Sequence, residues 1–343
     1  MGSEEISQRT RSSIFLVPLK RCLLVCILLY CVNLQSTAQL VRAKSDTIFL
    51  ADPTIFSDKN VYYLYGTGSS RGFLVYRSTD LETWEGPVGK RDGHALLKGD
   101  SYGSKGFWAP QVFRYKKKYY MAYTADEQIA IAESDNPLGP FVQKEFRIIT
   151  GPGKQIDPFI FIDKGKIYLY HVRLTEGNRI YVAQLKDDLS DIVPGTAVEC
   201  VSATQPWENT ANANWPVAEG PTVIRRDKLY YLFYSANDFR NIDYGMGYAT
   251  SLSPTGPWIK FENNPVISRH NVNVNGPGHG DFFKGPDGGF RYVFHTHNSG
   301  SRVSPRVTVL VIAQFIESAG KPKRLVIDTG SIRALMAKDI EKQ

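Results

Sequence analysis

Ala51-Asp52-Pro53-Thr54-Ile55-Phe56, a polar turn from Ser57 to Asn60, then Val61-Tyr62-Tyr63-Leu64-Tyr65: an acid and a proline open one apolar strand, and an aromatic strand returns antiparallel to it. The pattern recurs four times. Trp108-Ala109-Pro110-Gln111-Val112-Phe113 is followed by a lysine turn and Tyr119-Tyr120-Met121-Ala122-Tyr123. Asp157-Pro158-Phe159-Ile160-Phe161 precedes Ile167-Tyr168-Leu169-Tyr170, and Glu219-Gly220-Pro221-Thr222-Val223-Ile224 precedes Leu229-Tyr230-Tyr231-Leu232-Phe233-Tyr234. The most divergent copy is His279-Gly280-Asp281-Phe282-Phe283 with Phe290-Arg291-Tyr292-Val293-Phe294.

Pro53, Pro110, Pro158, Pro221 and Gly280 mark equivalent points, roughly sixty residues apart. Each unit carries a second pair of short strands, as at Phe73 to Tyr76, Ile129 to Ala132, Ile180 to Ala183, Gly245 to Ala249 and Val307 to Ala313. One such sheet cannot bury both faces alone, so five must pack around an axis. The expected fold is all-β: a five-bladed β-propeller with four antiparallel strands per blade. A β-sandwich is the competing architecture, and recurrence of the whole unit in order argues against it.

The 29 Gly, 19 Pro, 19 Tyr, 18 Phe and 5 Trp of the 343 residues suit many short strands and exclude disorder and coiled coil. Residues 1–38 read as an export signal: Arg9, Arg11, Lys20 and Arg21 precede an apolar run from Cys22 to Leu34, and Ser36-Thr37-Ala38 supplies small residues for cleavage. The run is shorter than the roughly 20 residues that a spanning helix needs. The mature chain, 39–343, is expected to be one propeller domain without a membrane span, periplasmic or secreted. Cys22, Cys26 and Cys31 leave with the signal, so Cys200 has no partner for a disulfide.

The formal charge of +7 falls to +5 without the signal, whose four basic residues outnumber Glu4 and Glu5 by two. Lys116-Lys117-Lys118 is the one tight basic run after the signal and reads as a hairpin turn, so nucleic acid is excluded as a partner.

Inner strands of a propeller line its axis, so the residues opening them converge. Here the openers are Asp52, Trp108, Asp157, Glu219 and His279, a costly set to bury for structure alone. Asp52, Asp157 and Glu219, set in Ala51-Asp52-Pro53, Ile156-Asp157-Pro158 and Ala218-Glu219-Gly220-Pro221 on five aromatic repeats, resemble glycoside hydrolase family 43 from about Phe49 onward.

The resemblance implies that Asp52 is the general base, Glu219 the general acid, and Asp157 the third carboxylate, which tunes and orients the acid. It also implies an inverting enzyme, and matches His279 to an axial histidine beside a calcium ion held through water. Inversion requires one carboxylic acid and one carboxylate about 6.5–9.5 Å apart, with water between the base and the sugar. Negative charge from Asp157 would keep the acid protonated, and Arg306 is a candidate cation for the base. No cofactor is required, and a structural calcium would be mostly water-ligated, since no dense acidic loop is present.

Trp108, Trp215 and Phe73 are candidate sugar platforms. His295-Thr296-His297 places two rings on one strand face, too few for zinc, and reads as channel lining. The expected activity is exo-removal of α-L-arabinofuranose from plant polysaccharide or oligosaccharide, with β-xylosidase and β-galactan-directed hydrolase as alternatives. A non-catalytic carbohydrate-binding propeller is the reading of another class, and it has no need of three carboxylates. Sucrose- and fructan-cleaving propellers place Glu before Cys, whereas Glu219 precedes Gly220.

Overall fold

The computed structural model describes residues 47–318 and 321–338. The expected signal, 1–38, and the expected start of the domain at residue 39 lie outside the described residues. Five small antiparallel sheets form a ring. Blade 1 comprises β1 (Ala51–Asp58), β2 (Val61–Thr67), β3 (Gly72–Ser78) and β4 (His94–Leu97). Blade 2 comprises β5 (Trp108–Tyr115), β6 (Lys118–Ala125) and β7 (Gln128–Ser134), with Val142 paired to Glu133 through both backbone hydrogen bonds at the fourth position.

Blade 3 comprises β8 (Gln155–Asp163), β9 (Lys166–Leu174), β10 (Asn178–Leu185) and β11 (Val198–Val201). Blade 4 comprises β12 (Ala218–Arg226), β13 (Leu229–Ala236), β14 (Gly245–Ser251) and β15 (Ile259–Lys260). Blade 5 comprises β16 (Gly278–Lys284), β17 (Phe290–Thr296), β18 (Val307–Ser318) and β19 (Lys321–Ala334). No described helix is long and apolar enough to cross a membrane.

Tight turns set the hairpin registers. Lys59-Asn60 and Lys116-Lys117 carry positive φ at both central positions, the backbone twist that matches paired strands. The lysine run therefore closes the β5–β6 hairpin, as its position in the repeat predicts. Alternation then assigns each strand's two faces to different neighbours. On β9, Ile167 and Leu169 pack with Phe113 and Ala122 of blade 2, while Tyr168, Tyr170 and Val172 pack with Leu232 and Tyr234 of blade 4. Both faces are dry, which is why these strands are apolar at almost every position.

Apolar clusters fill all five interfaces between adjacent blades. Full burial of one such aromatic side chain contributes about 1.5–3 kcal/mol. The ring closes between blades 1 and 5. Thr308 Oγ1 donates to the carbonyl of Leu50 and accepts its N–H, each at 2.9 Å, and the Ile48 N–H donates to Leu335 O at 2.9 Å. Ile55 and Leu64 meet Val293 and Leu310 there.

Candidate active site

Every inner strand slips register near its start, between Ala51 and Thr54, Trp108 and Gln111, Ile156 and Phe159, Glu219 and Thr222, and Gly278 and Gly280. Four of these slips carry the repeat's proline, whose missing N–H is tolerated where the ladder is already interrupted. The residue at each slip has positive φ: Asp52 (48°), Ala109 (44°), Asp157 (55°), Gly220 (60°) and His279 (43°). For a non-glycine residue this conformation costs on the order of 1–3 kcal/mol, and here four non-glycine residues adopt it beside Gly220.

These five residues are the true structural equivalents, which corrects the expected set of openers. Trp108 and Glu219 stand one residue earlier, beside Ala109 and Gly220. The offset separates the carboxylates. Asp52 and Asp157 both face His279, whose Nδ1 lies 3.3 Å from Asp52 Oδ1 and 3.8 Å from Asp157 Oδ2. Glu219 instead meets donors from outside that axial group. Gly220 leaves the space for this packing, because a Cβ there would fall 2.8 Å from the His279 ring.

Asp52 is bound on both oxygens. Arg306 Nη1 donates to Oδ1 at 3.1 Å, and Thr67 Oγ1 donates to Oδ2 at 2.7 Å while accepting the Ala109 N–H at 2.9 Å. Burial opposes ionisation of Asp52, but Arg306, the two neighbouring imidazoles and the Thr67 hydroxyl outweigh it and hold the carboxyl well below its ordinary range. Burial lowers His279, and burial with Arg306 lowers His295 well below the usual imidazole value. Arg306 is the first of the groups that keep Asp52 ionised and the one whose charge does not depend on pH.

Glu219 receives neutral donors: Tyr244 OH to Oε1 and Asn178 Nδ2 to Oε2, each at 2.9 Å. Burial dominates, the negative charge of Asp52 adds to it, and the carboxyl is pushed up to about 7 despite both hydrogen bonds. Asp157 is raised well above the carboxylate range by burial, then by Glu219 and Asp52. Its Oδ2 accepts the Gly220 N–H at 3.2 Å, so it grips the peptide next to Glu219. Asp157 and Glu219 oppose each other's ionisation, burial and Asp52 raise both, and Asp157 itself favours a proton.

A cavity of about 480 Å³ opens above these groups, lined among others by Asp52, Asp157, Glu219, His279, Arg306, Trp108 and Trp215. Trp108 and Trp215 are 38% and 48% exposed and offer ring surface to it. Phe73 does not: it is fully buried between blades 1 and 2, edge-on to Phe107 and Tyr123, so it is a core residue and cannot touch a substrate. His295 and His297 are buried beside the pocket. Nε2 of His295 lies 3.2 Å from Arg306 Nη1, and Nε2 of His297 lies 2.8 Å from the carbonyl of Phe239, over whose ring the Arg306 guanidinium sits at 4.7 Å.

Thr67, Asn178, Phe239 and Tyr244 carry no sequence motif. They come from strand ends and loops outside the inner strands. For a metal, no group of three or more His, Cys, Asp and Glu among the described residues is spaced to hold an ion. The axial cavity beneath His279, about 30 Å³, is lined by Asp281, Thr54, Gln111 and Thr222 in addition to Asp52 and Asp157.

Known proteins resemble this chain along most of its length. A crystal structure of an endo-1,4-beta-xylanase from Bacteroides thetaiotaomicron is 39% identical, covering 85% of this chain and 98% of that one, with a TM-score of 0.78. A β-D-galactofuranosidase of Aspergillus niger is 32% identical over 71% of this chain and 73% of its own length. An extracellular endo-α-(1→5)-L-arabinanase of Thermotoga petrophila is 26% identical over 73% of this chain. The match spans 65% of that arabinanase and 53% of a second, from Bacillus subtilis. The model of glycosyl hydrolases family 43 matches residues 47–318, and the chain belongs to that family.

Proposed function

We propose that this protein is an exported, inverting glycoside hydrolase that removes α-L-arabinofuranosyl residues from plant polysaccharide or oligosaccharide. Glu219 acts as general acid and protonates the departing glycosidic oxygen; Asp52 acts as general base and takes a proton from the attacking water. Asp157 holds the Gly220 peptide and, through it, the acid's position. One observation carries the reading: two buried carboxyls of a single pocket are driven in opposite directions, Asp52 well below its ordinary range and Glu219 up to about 7. That is the division of labour an acid–base pair requires near neutral pH.

The water takes the inverted position, so the oxygen of the new anomeric hydroxyl comes from water while the leaving oxygen gains the Glu219 proton. Trp108 and Trp215 supply apolar faces for the sugar. No cofactor takes part. Arabinose is favoured by the relatives named arabinanase and arabinofuranosidase. The solved relative named an endo-xylanase supports a second reading, cleavage of a β-xylosidic bond. Export is supported by the character of residues 1–38 and by the two arabinanases named extracellular.

The test is a panel of nitrophenyl α-L-arabinofuranoside, β-D-xyloside and β-D-galactoside followed by natural polysaccharides, with proton NMR of the first-formed anomer. Fastest turnover of the arabinofuranoside with an inverted product is expected. Retention of configuration would overturn the paired roles, and preference for the xyloside would select the second reading.

A further inference from the structure

Trp215 touches more than the cavity. Its indole Nε1 donates to Asn178 Oδ1 at 2.9 Å, and Asn178 Nδ2 donates to Glu219 Oε2 at 2.9 Å. An indole N–H can only donate. It therefore decides which end of the Asn178 amide is the carbonyl, and so which end faces Glu219. We propose that Trp215 is a positioning residue for the acid: through Asn178 it fixes the plane of the Glu219 carboxyl, so that the wall meeting the sugar also aims the proton. The proposal rests on Glu219 being the general acid.

The scaffold around this relay is built to hold it still. The Asn178 N–H donates to Pro216 O at 2.9 Å, and Asn178 pairs with Val217 across the seam between blades 3 and 4. Gly177 (φ 124°) permits the approach, since a Cβ there would lie 2.5 Å from Pro216 O. Upstream, the loop that ends at Trp215 is pinned by Glu208, which has no exposure. Its carboxylate receives Lys260 Nζ at 2.7 and 2.6 Å, the Tyr234 hydroxyl and the N–H groups of Thr204 and Gln205. Asn237 adds donations to Trp207 O at 2.7 Å and Asp243 O at 3.0 Å, tying that loop to the segment that carries Tyr244. Both donors of Glu219 thus hang from one braced assembly.

Trp215→Phe keeps an aromatic face and removes only the N–H. For this variant kcat on a poorly activated natural glycoside is expected to fall about tenfold, the upper end for one neutral hydrogen bond. The loss should be clearly smaller on a dinitrophenyl glycoside, and KM should change little on either. Freed of its orienter, the amide can turn its carbonyl toward Glu219, which disfavours the ionised acid. The basic limb of the pH profile should then move upward by about one unit. Asn178→Ala should reproduce both effects, and Trp215→Phe added to it should contribute almost nothing further.

A Trp215→Phe enzyme whose basic limb stays in place, or whose loss ignores the leaving group or appears in KM alone, overturns the relay and leaves Trp215 a platform. Glu219→Gln run in parallel separates the two levels. If that variant shows no dependence on the leaving group, the role of Glu219 has failed rather than the relay.

Discussion

Asp52 lies where blades 1 and 5 meet, and Glu219 lies where blades 3 and 4 meet. The first seam brings a guanidinium to its carboxylate, and the second brings a phenol and an amide. Both acids are buried to a similar degree, 8% and 9% exposed. Burial therefore cannot explain why one is held low and the other high; the charge of the partner does. A fixed cation compensates desolvation of a carboxylate, whereas two neutral donors only soften it. The pocket thus holds two carboxyls of opposite character, supplied by two kinds of seam in one ring.

Breaking either acid has the largest expected effect. Glu219→Gln should lose about 10²–10⁴-fold in kcat on natural glycosides and far less on substrates with good leaving groups. Asp52→Asn should lose as much on both, measured by steady-state kinetics on the paired substrates. A third seam serves as control. Phe73→Ala at the interface of blades 1 and 2 should cost about 3–5 kcal/mol of stability in a urea titration while both pH limbs stay where they are.

Arg306→Ala removes what distinguishes the first seam. It should lower kcat/KM about ten- to a hundredfold and raise the acidic limb by about one to three pH units, because Asp52 then loses its cation. Tyr244→Phe sharpens the second seam with a smaller change: without a donor to the ionised form, the basic limb should rise by about one unit or less from near pH 7. In the unaltered enzyme, activity should hold between the two limbs and fall as pH rises through about 7, where Glu219 loses its proton.

Stability carries the same signs. The contribution of Asp52 is present above its ordinary value of 3.8 and is lost as pH falls through its lowered folded value. Glu219 works the other way: from 4.5 to about 7 the unfolded chain releases this proton before the folded one does, so rising pH costs stability across that window. Thermal unfolding of Asp52→Asn and Glu219→Gln across pH 3 to 8 reads both, with the slope reduced on the acid side for the first and above pH 4.5 for the second. Treatment with a chelator tests the calcium expected beside His279: loss of rate that calcium restores supports the ion, and unchanged rates leave His279 as channel lining.

Much of this is legible in the sequence, for a physical reason. The repeat encodes a sheet with two dry faces, so each blade advertises itself as an aromatic strand behind a proline. Asp52 and Asp157 are visible because the same proline follows them. Glu219 was found, but its offset from the axial set was overlooked, although the proline marker aligns Gly220 with Asp52 and Asp157. Phe73 misled because an aromatic at a strand start looks the same whether it faces a pocket or a neighbouring blade. Asn178, Tyr244 and Thr67 were out of reach: each is an ordinary polar residue brought to the pocket by strands whose spacing in sequence says nothing about their ends.

The ring closes between its first and last blades, and Arg306 reaches Asp52 across 254 positions of chain at that joint. The acid and its two donors, by contrast, lie within Asn178 to Tyr244. The donors of Glu219 thus come from blades 3 and 4, whereas the cation of Asp52 arrives only with blade 5. On the proposed roles, a molecule nicked ahead of its final blade would keep both hydrogen-bond donors of the acid and lose the cation of the base, so loss of activity on such a cut would report an open ring.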